Sequence, residues 1–119
     1  RSNIVGKPLA HLMMRRDATV TVAHSKTENL EQKIKQADIV VTAVGIPNFL
    51  SKDNFKDGAT IIDVSMNKID GKLCGDVRKE DYMELMVKCN LTPVPGGVGQ
   101  TTVMALLENV ISIIENKER

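Results

Sequence analysis

Tryptophan is absent from this chain, and Tyr82, Phe49 and Phe55 are its only aromatic residues. A core must then be built from aliphatic side chains and methionine. Cysteine is equally scarce. Cys74 and Cys89 stand too far apart for a metal knuckle and are too few for a disulfide scaffold, so both read as reduced and structural. No apolar run approaches the roughly 18 residues of a membrane span, and no signal peptide is visible at the amino end. These absences predict an intracellular, cytoplasmic protein. Neither sign of charge dominates: the formal net charge is +1 with both signs scattered, which gives no reason to expect nucleic acid or a membrane as partner. There is no internal repeat, low-complexity run or linker. With 119 residues, 42% hydrophobic and 26% charged, the sequence reads as one globular domain or a piece of one.

What is present is an alternation of short β-branched runs with amphipathic segments, the pattern of an α/β fold with a parallel sheet and crossover helices. Strands are expected at Ala18–Ala23, Asp38–Ala43, Ala59–Val64 and Leu91–Val94. The second is so continuously apolar that burial on both faces is expected. A helix is expected from about Asn29, with Leu30, Ile34 and Ala37 on one face. A weaker one should carry Phe49, Leu50 and Phe55, and a modest one should span Lys79–Cys89. Ile69–Leu73 reads as a small surface turn around Asp70-Gly71.

Two places depart from this regular alternation. The first is Pro93-Val94-Pro95-Gly96-Gly97-Val98-Gly99, where two prolines and three glycines in seven residues make a stiff loop with a bare surface. Adjacent glycines allow backbone to approach a flat ligand closely. Val103, Leu106, Leu107, Val110 and Ile114 follow at helical spacing, so the loop is expected to be anchored to a buried helix. The second is the start, Arg1-Ser2-Asn3-Ile4-Val5-Gly6-Lys7-Pro8. It looks like the phosphate loop and first helical turn of a dinucleotide-binding unit whose leading strand is absent. That strand would sit at the centre of a doubly wound sheet, so the chain is expected to be part of a longer polypeptide.

The runs RSNIVGKPLAHLM, ATVTVAHSKT and TPVPGGVGQTT, in this order and spacing, resemble the bifunctional methylenetetrahydrofolate dehydrogenase/methenyltetrahydrofolate cyclohydrolase family. The resemblance covers essentially the whole chain and corresponds to the carboxy-terminal nucleotide-binding domain of that family. It implies a Rossmann-like, doubly wound, mostly parallel sheet with flanking helices, lacking its first strand here. It also implies residues 1–119 as an NADP-binding domain of a two-domain enzyme that is homodimeric at full length. The final helix would cross toward the amino-terminal catalytic domain. The implied chemistry is oxidation of 5,10-methylenetetrahydrofolate to the methenyl form with NADP, then hydrolysis to 10-formyltetrahydrofolate. The Lys and Tyr of the hydrolytic step belong to the amino-terminal domain, and Tyr82 is followed four residues later by Met86. The fragment alone is expected to bind nucleotide and to catalyse neither step. A non-catalytic nucleotide-binding or interaction module of the same fold is the alternative, and the upstream sequence separates the two.

Site residues follow from the same resemblance. Arg1, Ser2 and Ser25 match cofactor contacts, Met66 stands where the family has the Ile of Gly-Ile-Asn, and Thr102 keeps the family's threonine. Pro95, Gly96, Gly97, Val98 and Gly99 would form a wall for the folate. Gly99-Gln100-Thr101-Thr102 departs from the family's Gly-Pro-Met-Thr and loses a rigid proline. Residue chemistry independently favours NADP over NAD. In an NAD site the strand after the phosphate loop and its helix, here Ala18–Ala23, should end, about 20 residues past that loop, in a position that carries Asp or Glu to hold a ribose hydroxyl. It holds His24-Ser25-Lys26 instead, a hydroxyl beside a cation suited to a 2′-phosphate. Ser25 or Thr27 could equally start the next helix. His24 and His11 lack nucleophile or carboxylate partners, and Asp63 and Asp76 read as a strand-end residue and a cap, so no catalytic residue or metal site is expected.

Overall fold

The structure is a computed structural model that describes residues 2–117. In chain order the elements are α1 (Gly6–Met14), α2 (Leu30–Gln36), β1 (Ile39–Thr42), β2 (Thr60–Asp63), β3 (Asn67–Ile69), β4 (Lys72–Cys74), α3 (Tyr82–Lys88), β5 (Asn90–Leu91) and α4 (Val98–Lys117). Single 3₁₀ turns at Lys52–Asn54 and Lys79–Asp81 precede β2 and α3. The β-branched runs IVVT and TIID pair in parallel, Ile39 opposite Thr60 and Thr42 opposite Asp63, and β5 joins the far side of β2. The result is a three-stranded parallel sheet with flanking helices, an α/β Rossmann-like architecture.

Central β2 alternates strictly, with Ile61 and Asp63 buried and Thr60 and Ile62 half-buried. Its inner face meets Leu50, Phe55, Val77, Tyr82 and Leu85, against which Ile34, Val40, Cys89 and Leu91 pack. Two of the three aromatic residues are therefore in the core, and no methionine is, contrary to the composition argument. Met66, Met83 and Met104 are each more than half exposed, on a loop, the outer face of α3 and the uncovered α4. The Tyr82 hydroxyl is buried without a hydrogen-bond partner among the described residues.

Several sequence expectations are corrected. Ala18–Ala23 forms no strand, since ladder bonds need a neighbour and, among the described residues, only Ala18 N–H, donating to Met13 C=O, is tied down. β1 is not buried on both faces: among the described residues it pairs with β2 alone, and Ile39 is 47% exposed. The helix expected around Phe49–Phe55 shrinks to the Lys52–Asn54 turn, closed by reciprocal bonding between Ser51 and Asn54. The surface turn is the tip of an antiparallel β3–β4 hairpin, where Asp70 (φ +48°) and Gly71 (φ +80°) both adopt the left-handed region, as a tight two-residue hairpin turn requires. β5 ends after Leu91 because the Asp63 N–H turns to Thr92 Oγ1 at 2.9 Å and Pro93 and Pro95 have no N–H to offer. The helix behind the glycine loop is not buried within this chain. Val103, Leu106, Leu107, Val110 and Ile114 are 47–62% exposed. The apolar stripe exists, but the surface that would cover it is not among the described residues.

Candidate functional site

The carboxyl ends of parallel strands in an open α/β sheet are where ligands bind. Three loops leave that edge here: Ala43–Pro47 after β1, Val64–Met66 after β2 and Thr92–Gly97 after β5. Two are pinned by one buried side chain. The β3–β4 hairpin returns the chain beneath the ends of β1 and β2, so that Asp76, with no solvent exposure, lies between them. Asp76 Oδ2 accepts from Thr42 Oγ1 (2.6 Å), Ser65 Oγ (2.6 Å) and Val44 N–H (2.8 Å). Oδ1 accepts from the Gly45 and Ile46 N–H groups (3.0 Å each) and from Asn67 Nδ2 (3.2 Å). Three successive amides turn inward together, which is why Gly45 takes a φ of +76°. Burial pushes the Asp76 carboxyl up, but the donors from Ser65, Thr42, Val44 and Asn67 outweigh it and hold it below the ordinary carboxylate value.

A second buried carboxylate lies beside it. Asp63 accepts from Val77 N–H at 2.9 Å and Ser65 N–H at 3.1 Å. With fewer donors, burial dominates and raises its pKa, and the charge of Asp76 adds to the effect. Gly75 makes this possible: a Cβ there would overlap Asp63 Oδ2 and stand 2.7 Å from its Cγ. Asp76 is thus a buried acceptor rather than the helix cap its sequence position suggests.

The predicted contact residues fall around this edge in part. Met66, 64% exposed, lies between Ser65 and Asn67 and places its Cε 3.6 Å from where a Cβ on Gly99 would stand. It thereby joins the β2 loop to the glycine loop. Gly96 (φ +101°) faces open space. A Cβ on Gly97 would overlap Pro93 C=O and lie 3.2 Å from Thr92 Cβ. Pro95, Gly96 and Gly99 are exposed, Gly97 and Val98 half-buried. The backbone of this loop is therefore accessible, and the Val94–Pro95 peptide within it is cis. Val98 and Gly99 already belong to α4, and the Thr102 hydroxyl donates back to Val98 C=O at 3.1 Å.

The other predicted contacts sit in separate turns. Ser2 Oγ accepts from the Val5 and Gly6 N–H groups at 3.0 and 3.1 Å, closing the turn into α1. Its hydroxyl proton can still serve a phosphate, and Lys7 stands nearby, its Nζ on Asn3 Oδ1 at 2.8 Å. Ser25 caps nothing: α2 starts later, with Asn29 as the preceding residue. Thr27 closes the turn instead, its Oγ1 accepting from His24 N–H at 2.9 Å while its N–H donates to His24 C=O at 2.8 Å. Lys26 N–H donates to His24 Nδ1 at 3.1 Å. Ser25 and Lys26 are exposed, with no carboxylate in the turn. This donor set fits a phosphorylated dinucleotide, with cations and hydroxyls at the amino-terminal loop and the 24–27 turn and accessible backbone at the glycine loop. Arg1 lies outside the described residues. Two open grooves lie elsewhere. One of about 510 Å³ runs between α2 and Phe49–Asn54, and one of about 230 Å³ is lined by Lys35, Lys52, Glu84 and Lys88. Neither includes a predicted contact residue.

Residues 1–118 match the family model described as the NAD(P)-binding domain of tetrahydrofolate dehydrogenase/cyclohydrolase. The chain belongs to this family. The bifunctional protein FolD of Campylobacter fetus is 51% identical over 121 residues, covering 100% of this chain and 42% of the relative. FolD of Halalkalibacterium halodurans is 54% identical over 111 residues, 93% of this chain and 39% of its own. The crystal structure of the Campylobacter jejuni FolD methylenetetrahydrofolate dehydrogenase/cyclohydrolase superposes with a TM-score of 0.91 at 41% identity, covering 98% of this chain and 41% of that one. The Trypanosoma brucei enzyme, crystallised with NADP cofactor and an inhibitor, gives 0.88 at 37% identity over 100% of this chain and 42% of that one. The chain thus spans about two-fifths of the length of these FolD relatives.

Sequence reasoning missed Thr42, the bonds of Ser65 and Asn67 to Asp76, and the true role of Asp76. One signal was available. An acid inside the run Cys74-Gly75-Asp76-Val77, with apolar or small neighbours on both sides, is a candidate for burial, and a buried carboxylate needs donors.

Proposed function

We propose that this chain is the coenzyme-binding portion of an NADP-dependent 5,10-methylenetetrahydrofolate dehydrogenase that also hydrolyses the methenyl product to 10-formyltetrahydrofolate, acting in the cytoplasm. The observation that carries the reading is the approach of Met66 to Gly99, which brings a predicted coenzyme contact against the predicted folate wall at the ligand-binding edge of the sheet. The nicotinamide would accept a hydride from the methylene bridge of the folate. Ser2, Lys7 and Arg1 would hold the diphosphate side, and Ser25 with Lys26 the 2′-phosphate. The bare backbone of Gly96 and Gly97 would let the two flat rings approach, so that orientation supplies most of what this portion contributes.

An amino-terminal catalytic domain would provide the proton-transfer residues of the hydrolytic step, and the exposed apolar stripe of α4 would pack toward it. A homodimer is the proposed assembly. The test is calorimetric titration of the protein as encoded with NADP and with NAD. Tighter binding of NADP is expected, and a preference for NAD would overturn the assignment of Ser25.

A further inference from the structure

We infer that Asp76 is a positioning residue for the coenzyme, fixing Met66 and the Val44–Ile46 loop against the glycine loop. The inference rests on the functional reading above and goes beyond it, because Asp76 reaches no ligand itself. Its two oxygens take six hydrogen bonds, three each, from residues of two different strand ends. Both neighbours of Met66 are among the donors: Ser65 through Oγ and Asn67 through Nδ2. Ser65 Oγ also accepts from Gly45 N–H at 3.2 Å, tying the two loops to each other. Met66 is therefore held on both sides while its own side chain projects to Gly99.

The inward turn of the Val44, Gly45 and Ile46 amides has a second effect. A run of convergent N–H groups is ordinarily an anion-binding concavity, and here a carboxylate of the protein fills it. The outer face of the loop is left with the Val44 and Ile46 side chains, 49% and 50% exposed, an apolar surface. Asparagine at position 76 would replace one accepting oxygen by an NH₂ group facing three donors. Both loops would then lose their common anchor.

Asp76→Asn in the protein as encoded should weaken NADP binding by calorimetry, and raise the KM for NADP, by about tenfold or more, given six bonds at stake. The KM for 5,10-methylenetetrahydrofolate should stay within about threefold. Leu85→Ala, in the core and on α3 rather than on one of the edge loops, lowers the melting midpoint and should leave the KM for NADP within about twofold. If Asp76→Asn does not fold, Ser65→Ala removes the bond to Asp76 and the one from Gly45 N–H, and Asn67→Ala removes its single bond to Asp76; each should weaken NADP binding by about threefold or more. Unchanged NADP affinity in all folded variants, or equal losses toward NADP and folate matched by Leu85→Ala, would overturn the positioning role alone. A wild-type protein that binds no NADP would overturn the functional reading and this inference together.

Discussion

Replacing Gly75 by alanine adds one carbon at a buried point where the structure leaves no room for it. That carbon would overlap Asp63 Oδ2, lie 2.7 Å from Asp63 Cγ and 3.0 Å from Val94 Cγ2. Asp63 cannot yield cheaply, being 1% exposed and held by the Val77 and Ser65 amides. Either the carboxylate rotates off its donors, at about 1.5–3 kcal/mol for each charged bond, or the end of β4 moves away from β2, an overpacking strain of about 1–3 kcal/mol. The first route costs about 3–6 kcal/mol for its two bonds and the second about 1–3, so a loss of about 3 kcal/mol, where the two ranges meet, follows, a large share of the stability of an ordinary domain. Gly71→Ala is the comparison. Its φ of +80° carries the left-handed backbone cost, about 1–2 kcal/mol, but nothing lies within 4 Å of its added carbon. In urea, with a slope of about 2 kcal/mol per molar, the unfolding midpoint should fall by about 1.5 M for Gly75→Ala and by about 0.75 M for Gly71→Ala. Circular dichroism reads both. A shift for Gly75→Ala no larger than that for Gly71→Ala would refute the collision argument.

Three further outcomes are expected. The Asp76 carboxyl is held below 3.8 in the folded protein, so the stability it contributes is complete above pH 3.8 and is lost as pH falls below it. The Asp63 carboxyl is raised above 3.8, so its ionisation costs stability as pH rises through that higher value. Urea midpoints across pH 3–6 should therefore decline less at low pH in Asp76→Asn, and lose their opposing higher-pH limb in Asp63→Asn, and unchanged profiles would contradict both signs. Tyr82→Phe removes a buried hydroxyl with no partner and should leave thermal stability unchanged or raise it by up to about 1 kcal/mol, whereas a clear loss would show that the hydroxyl is bonded. Ser25→Asp should weaken NADP binding by about tenfold or more through repulsion of the 2′-phosphate while NAD binding changes little. Equal effects on both coenzymes would remove Ser25 from the site.

The parallel strands, α2 and the glycine loop were legible because each is written locally, in β-branched runs, in the face of Leu30 and Ile34, and in the proline and glycine of residues 93–99. The failures share a cause. Ala18–Ala23 has the composition of a strand, but pairing is a property of neighbours, and so is the cover that the stripe of α4 calls for. The mutual approach of Met66 and Gly99 depends on how β2 and β5 lie side by side, which no single segment encodes. Asp76 was misread because its donors come from positions 42, 44–46, 65 and 67. Its role appears only when the β3–β4 hairpin has brought residue 76 back under residue 42. The resemblance of three runs to one family named candidate contact residues where local pattern offered none.

Twenty residues of helix extend about 30 Å, and α4 spends that length largely apart from the sheet. The radius of gyration, 16.0 Å, exceeds the roughly 13.5 Å usual for a chain of this size, so hydrodynamically the body trails a lever arm. One flank of that arm is a strip of Val103, Leu107, Val110 and Ile114 in contact with water. The colloidal behaviour of this polypeptide on its own, its diffusion and its concentration-dependent self-adhesion, is consequently governed by those side chains and only weakly by its near-neutral surface charge.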